Sequence, residues 1–233
     1  MSLSADTVAS NLAVVRQRIS EAAKKSGRAE QDILLVAVTK YVDATTTRLL
    51  VDAGCTCLGE SRPQLLWEKA SQLADLPEIQ WHQIGHMQRN KVARTLPMLS
   101  LLQSVDSERL LNTVNDQSQK HGLTTPILLE VNISGDSNKH GLDPNSVESV
   151  VRSTADLKNV SLRGVMGMAS REGGADRARR DFSALRELRD SVASVCPENA
   201  SLHEISMGMS GDFEVAIEEG ATIVRVGSAL FTE

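Results

Sequence analysis

Aromatic side chains are scarce in this chain: three phenylalanines, two tryptophans and one tyrosine make up 3% of it. Its interior must therefore be aliphatic, built from Leu, Val, Ile, Ala and Met. Cysteine is equally sparse. Cys55, Cys57 and Cys196 are odd in number and form no CxxC pair, which argues against a disulfide framework or a four-thiolate zinc site and leaves them as small core residues. Positive charge is not in excess. A net charge of -5 and a pI of about 5.6 argue against a protein that wraps a polyanion, and point to small ligands or protein partners. No apolar run is long enough to cross a bilayer, and Met1 to Asn11 has neither a basic start nor an apolar stretch, so the expected location is cytoplasmic. No linker, charge block or low-complexity segment divides the 233 residues, of which 41% are hydrophobic.

What the chain does have is a regular alternation. After an amphipathic opening helix around Asp6 to Ser26, apolar runs and amphipathic stretches take turns. The runs are Ile33 to Thr39, Cys55 to Gly59, Ile79 to Ile84, Leu101 to Val105, Ile127 to Ile133, Val160 to Met168, His203 to Met207 and Thr222 to Val226. Helix starts are marked by Asp43, Asp106-Ser107 and Asp143-Pro144, and ends by Gly54, Gly122 and Gly220. Eight strand-helix units in this length match a compact (β/α)8 TIM barrel, a single domain with an extra N-terminal helix; an open doubly wound sheet is the alternative. In such barrels the carboxyl ends of the strands carry the chemistry. Here those ends read Lys40, Glu60-Ser61, His82 with Gly85, Asp106, Asn132, Met166 with Gly167, Ser206 to Ser210, and Arg225 with Gly227.

Lys40 closes the first apolar run, where partial desolvation would favour the free amine that condenses with an aldehyde. An ordinary strand-end lysine covers apolar surface and reaches water instead. At the seventh unit, His203 to Asp212 passes from strand into a Gly/Ser turn and then a helix, and Val224-Arg225-Val226-Gly227-Ser228 does the same at the eighth. Turns in these two positions form the usual phosphate site of such barrels. Ser206 and Ser228 would add hydroxyl donors there, and Gly208 and Gly227 would let the backbone come close. Arg225 would face a ring nitrogen or a phosphate, or pair with an interior carboxylate such as Glu204. An amine, a phosphate cradle and a cation together suit pyridoxal 5'-phosphate (PLP).

On these residues the chain resembles the YggS/PROSC family of pyridoxal phosphate homeostasis proteins. The resemblance runs through Ala37-Val38-Thr39-Lys40, Trp81-His82-Gln83-Ile84-Gly85, Gln88-Arg89-Asn90-Lys91, Ser104-Val105-Asp106, Val131-Asn132-Ile133-Ser134 with Lys139-His140-Gly141, Arg163-Gly164-Val165-Met166, Ser206-Met207-Gly208-Met209-Ser210 and Val224-Arg225-Val226-Gly227. It implies an alanine racemase-like barrel that carries PLP as a Schiff base on Lys40. The phosphate would be held by Ser206, Gly227 and Ser228, the pyridine nitrogen would meet Arg225, and Asn132 and Met166 would line the pocket. Ser61 stands where the family usually has asparagine, which removes a contact expected from the second strand.

The resemblance implies a monomeric carrier that buffers PLP, serves PLP-dependent apo-enzymes and affects amino-acid and keto-acid balance indirectly. A single-domain racemase and a cofactor-free lyase acting on sugar phosphates are the competing readings. Racemisation needs bases on both faces of the cofactor, and Tyr41, the only tyrosine, would point away from Lys40 in an extended backbone. His82 and His86 sit across a glycine on a strand pattern, which argues against a metal-binding HxxxH face and makes His82 a rim or core residue. The basic stretches Arg89 to Arg94 and Arg177 to Arg180 read as solvated helix faces, and Ser170 to Gly174 as a mobile lid or a loose connection.

Overall fold

The computed structural model describes residues 3–136, 140–198 and 200–232. Eight parallel strands close into a barrel in sequence order, the first pairing with the last through Leu34 opposite Ile223 to Ala37 opposite Val226. The strands are β1 (Leu34–Val38), β2 (Cys57–Glu60), β3 (Gln80–Gln83), β4 (Leu99–Val105), β5 (Thr125–Val131), β6 (Val160–Gly167), β7 (Glu204–Ser206) and β8 (Ile223–Val226). Each of the eight apolar runs overlaps one of them, although β2 ends one residue beyond its run and β4 and β5 begin two residues before theirs. The (β/α)8 barrel is the observed fold; the doubly wound alternative is excluded by closure.

The helices are α1 (Ala5–Lys25), α2 (Ala44–Asp52), α3 (Pro63–Gln72), α4 (Arg89–Thr95), α5 (Glu108–His121), α6 (Val147–Ser153), α7 (Gly174–Ala193) and α8 (Phe213–Glu218). Among the described residues a one-turn helix, Ser228–Leu230, follows β8. The extra N-terminal helix α1 packs against α2, α8 and that short turn, covering the barrel between its first and last units. Ser4 caps it by accepting from the Thr7 amide, and Val8, Leu12, Val15, Ile19 and Ala22 form its buried stripe. The two chain ends are tied by Asn11, whose amide donates to the carbonyls of Leu230 (3.3 Å) and Thr232 (2.8 Å). Arg28 adds bonds from the start of the chain to the carbonyls of Ile217 and Ala221. Asn11→Ala is expected to cost about 1 kcal/mol, the usual net worth of such bonds. A urea unfolding curve with an unchanged slope would show it.

Inside the barrel, Val36, Cys57, Leu101, Leu128, Met166 and Ile223 form an apolar cluster separate from the shell between strands and helices. Cys55 and Cys57 are buried, and burial pushes the Cys57 thiol up to about 12, which makes it inert. Cys196, expected in the core, is only half-buried. The basic stretches are paired: Arg94 lies 4.1 Å from the Trp67 ring centre, Arg177 bonds Asp181, and Arg179 bonds Glu218 and Glu219. Ser170, in the segment read as a lid, donates its amide to the same buried Asp181 at 2.8 Å.

Candidate functional site

A cavity of about 500 Å³ opens at the carboxyl ends of the strands. Lys40, Tyr41, Glu130 and Arg225 line it together with the Ser210-Gly211 and Gly227-Ser228 turns, and Ile84, Met168 and Met209 give it apolar walls. Lys40 follows β1 in a turn and is exposed, so the partial burial expected at a strand end is not seen. The same turn corrects the reading of Tyr41: the backbone is not extended, and the Lys40 ammonium lies 4.9 Å from the Tyr41 ring centre.

The turn carrying Lys40 is held from below. Lys69 of α3 is buried against Glu60 at the end of β2 (2.5 Å) and also donates to the carbonyl of Thr39 (2.6 Å). The Thr39 hydroxyl donates to the same Glu60 oxygen at 2.6 Å. One ammonium thus fixes the ends of β1 and β2 immediately before the candidate amine.

Arg225 is buried at the floor of the cavity. It donates to the Ser206 hydroxyl (2.6 Å) and the Gly167 carbonyl (3.0 Å). Ser206 donates to Gln103 Oε1 (2.6 Å), and the Gln103 amide meets His82 Nδ1 at 2.8 Å. His82 Nε2 lies 3.5 Å from Cys57 Sγ. Desolvation lowers His82 to about 4, so its ring is neutral, and Nδ1 acts as the acceptor of the Gln103 amide while Nε2 carries the proton. The result is a one-way chain of donors from Arg225 across the barrel, which fixes the plane of the guanidinium. Desolvation also lowers Arg225, to about 10, a value that leaves it charged at neutral pH. Of the alternatives open to it, pairing with Glu204 is not the one seen; Glu204 accepts from Thr222 (2.5 Å).

The seventh and eighth turns are knotted by Ser210, whose hydroxyl oxygen accepts from the amides of Gly227 (3.1 Å) and Ala229 (3.4 Å). That leaves its O–H to donate. Gly227 packs so closely that a Cβ would lie 3.2 Å from the Val38 carbonyl oxygen. Gly208 has φ +89 and a Cβ there would overlap Ala216 at 2.5 Å, so its role is to seat α8 against the barrel. With only six residues, α8 adds little helix field to the mouth.

Of the residues singled out from the sequence, Lys40, Arg225, Gly227 and Ser228 line the cavity. Ser206, Gly208, Asn132 and Met166 are not among its lining residues. Ser206 is fully buried, with its hydroxyl engaged by Arg225 and Gln103. Met166 lies in the apolar cluster beneath, and Met168, two residues on along the same strand direction, reaches the cavity. Asn132 organises its own loop through the Asp136 carbonyl (2.8 Å) and the Ser134 hydroxyl (3.3 Å).

The sequence reading missed Glu130. This β5 carboxyl is buried, lines the cavity, and has one oxygen, Oε2, without a hydrogen-bond partner among the described residues. Desolvation and then the nearby Asp106 carboxylate push it up to about 7, against the pull of Arg225 and His86. A single charged residue in the run Ile127 to Ile133 was the available signal, because an acid on a strand otherwise apolar must have a use.

These features define a class: a barrel with a lysine amine at the first strand end and a fixed cation at the eighth. The chain belongs to the family described as alanine racemase, N-terminal domain, whose model matches residues 4–233. Within it, the relatives matched over nearly their whole length are pyridoxal phosphate homeostasis proteins. The chain is 36% identical to that of Aquifex aeolicus, over 95% of this chain and 96% of the relative, and 37% identical to that of Pseudomonas aeruginosa, over 97% and 95%. Among solved structures it is similar to PipY of Synechococcus elongatus with PLP bound (TM-score 0.87, 30% identity, 97% of this chain and 100% of that one). A protein of unknown function from Bifidobacterium adolescentis superposes with TM-score 0.92 at 36% identity, covering 97% of this chain and 95% of that one. Alanine racemase of Streptomyces lavendulae shares the fold (TM-score 0.75, 17% identity), and this chain covers 97% of itself but only 57% of that enzyme.

Proposed function

We propose that the chain, as one cofactor-binding domain, holds pyridoxal 5'-phosphate in the cavity at the barrel mouth and acts in its homeostasis. The observation that carries this reading is the sharing of one cavity by Lys40, the Arg225 guanidinium and the Ser210-Gly227-Ser228 turns. The cavity fits the group: its apolar walls suit a planar ring, and polar groups gather around them. The bound group supplies an aldehyde that a primary amine captures reversibly. Lys40 is the amine, held at the end of β1 by Lys69 and Glu60 beneath it. Arg225, fixed by the Ser206–Gln103–His82 chain, meets the pyridine nitrogen. Ser210, Gly227 and Ser228 hold the phosphate, with Gly208 setting the backbone of the seventh turn. Met166 supports the floor and Asn132 the wall of the β5 loop.

A carrier is the reading supported by the names of the relatives, which describe homeostasis and not catalysis. In it the protein acts as a cytoplasmic monomer and passes the cofactor to PLP-dependent apo-enzymes. The test is the visible spectrum of the purified protein with added PLP, before and after borohydride, followed by peptide mapping. A visible absorbance lost on reduction and a label on Lys40 are expected. A label on another lysine removes the assignment, and no chromophore favours the lyase reading. Turnover of L- to D-amino acids would move the protein to the racemase class.

A further inference from the structure

At the outer edge of the cavity, three side chains from successive strand ends converge. His86 follows β3, Asp106 directly follows β4, and His140 lies in the loop after β5. One potential ligand atom from each lies within 4.8 Å of the other two. His86 Nδ1 is 2.7 Å from Asp106 Oδ2, and His140 Nδ1 is 3.9 Å from the same oxygen. The imidazole rings are stacked, with centres 4.1 Å apart and planes 14° from parallel.

A single oxygen is thus addressed by two ring nitrogens, one at hydrogen-bonding distance and the other beyond it. Asp106 is mostly buried while the two histidines are about half-exposed, giving one fixed ligand and two that can close on an ion. Its other oxygen accepts from Ser107 (3.2 Å), a contact that orients the carboxylate as an outer partner orients a metal ligand.

We propose that His86, Asp106 and His140 form a binding site for a divalent transition ion of the zinc class. Two imidazoles and a carboxylate suit Zn²⁺ or Co²⁺, with bonds of about 2.0–2.2 Å, and disfavour Mg²⁺ and Ca²⁺, which require oxygen ligands. Reaching that range requires the two exposed imidazoles to turn toward a common point beside the Asp106 carboxylate. Three protein ligands leave at least one position open. Because His86 and His140 also line the cavity, that position borders the same space as Lys40. The ion would therefore sit where small molecules pass in and out.

The assignment does not depend on the cofactor reading, and it is tested on untagged protein both without PLP and loaded with it. Co²⁺ is titrated and its visible ligand-field bands followed, with Zn²⁺ added afterwards as competitor, and the bound metal counted by equilibrium dialysis. The expected result is one Co²⁺ per chain, displaced by Zn²⁺, in both preparations. In His140→Ala and His86→Ala the affinity is expected to fall by more than the roughly 10–100-fold typical of losing an outer-shell partner. His140→Ala changes a side chain that is 61% exposed, and its melting temperature without metal should equal that of the parent. Absence of Co²⁺ bands, binding that survives both substitutions, or binding seen only in PLP-loaded protein and retained in His140→Ala would each overturn the assignment.

Discussion

Lys69→Met is expected to lower the unfolding free energy by about 3–5 kcal/mol, the usual loss when one partner of a buried ion pair is removed. Glu60 is completely buried, and its Oε2 already lacks a hydrogen-bond partner among the described residues. Without the ammonium, its charge would be faced only by the Thr39 hydroxyl on Oε1. Methionine fills the volume of the lysine stem, so a cavity contributes little to the loss. The double variant Lys69→Met/Glu60→Met separates the causes, because replacing both members of such a pair by apolar residues is commonly neutral or stabilising. Urea unfolding of the parent, the two single variants and the double variant gives the coupling directly. If Lys69→Met costs less than about 1 kcal/mol, or the double variant is as unstable as the single one, the ion pair is not what holds the ends of β1 and β2. The functional consequence is local. Lys69 also holds the Thr39 carbonyl, so its loss frees the backbone one residue before Lys40.

The parts of this site legible in the sequence were those whose position follows from strand and turn order. Lys40 and Arg225 sit where the apolar runs end, and the barrel converts that into a place at the mouth. The errors came from geometry that pattern does not encode. Strand alternation predicts that Tyr41 points away from Lys40, but the chain turns at Lys40 and the alternation rule lapses. Met166 lies within β6 and Met168 just beyond its end, and only the height of the barrel floor distinguishes a core residue from a lining one. Ser206 and Ser210 belong to one turn motif, yet the barrel interior claims the first and the mouth the second. The chain from His82 through Gln103 to Ser206 spans 124 residues of sequence and is visible only once β3, β4, β7 and β8 face each other. His86, Asp106 and His140 come together for the same reason.

The orphaned carboxyl of Glu130 leads to the second large effect, one that changes with pH. Displacement of this group from its ordinary 4.5 to about 7 corresponds to roughly 3 kcal/mol. The sign follows from proton counting. Between about pH 4.5 and 7 the folded protein keeps a proton that the unfolded chain has released, so stability falls as pH rises through that window. Above it both states are ionised and the whole penalty is present. Asp106 at the end of β4 adds to the displacement, while Arg225 on β8 and His86 after β3 reduce it. Glu130→Gln keeps the shape and removes the charge. It should be stabilising by up to about 3 kcal/mol at pH 8 and close to neutral near pH 4.5. His82 acts in the opposite direction: its folded value of about 4 lies below the ordinary 6.5, so its stabilising contribution is lost as pH falls between them. Because His82 is present in both proteins, the difference between parent and Glu130→Gln isolates the carboxyl across the range. Urea unfolding at several pH values measures it, and a difference independent of pH would mean that Glu130 is already paired in solution. A stabilising glutamine at pH 8 would instead show that the parent tolerates an unsatisfied charge beside Arg225, as a group kept for a ligand and not for folding would be.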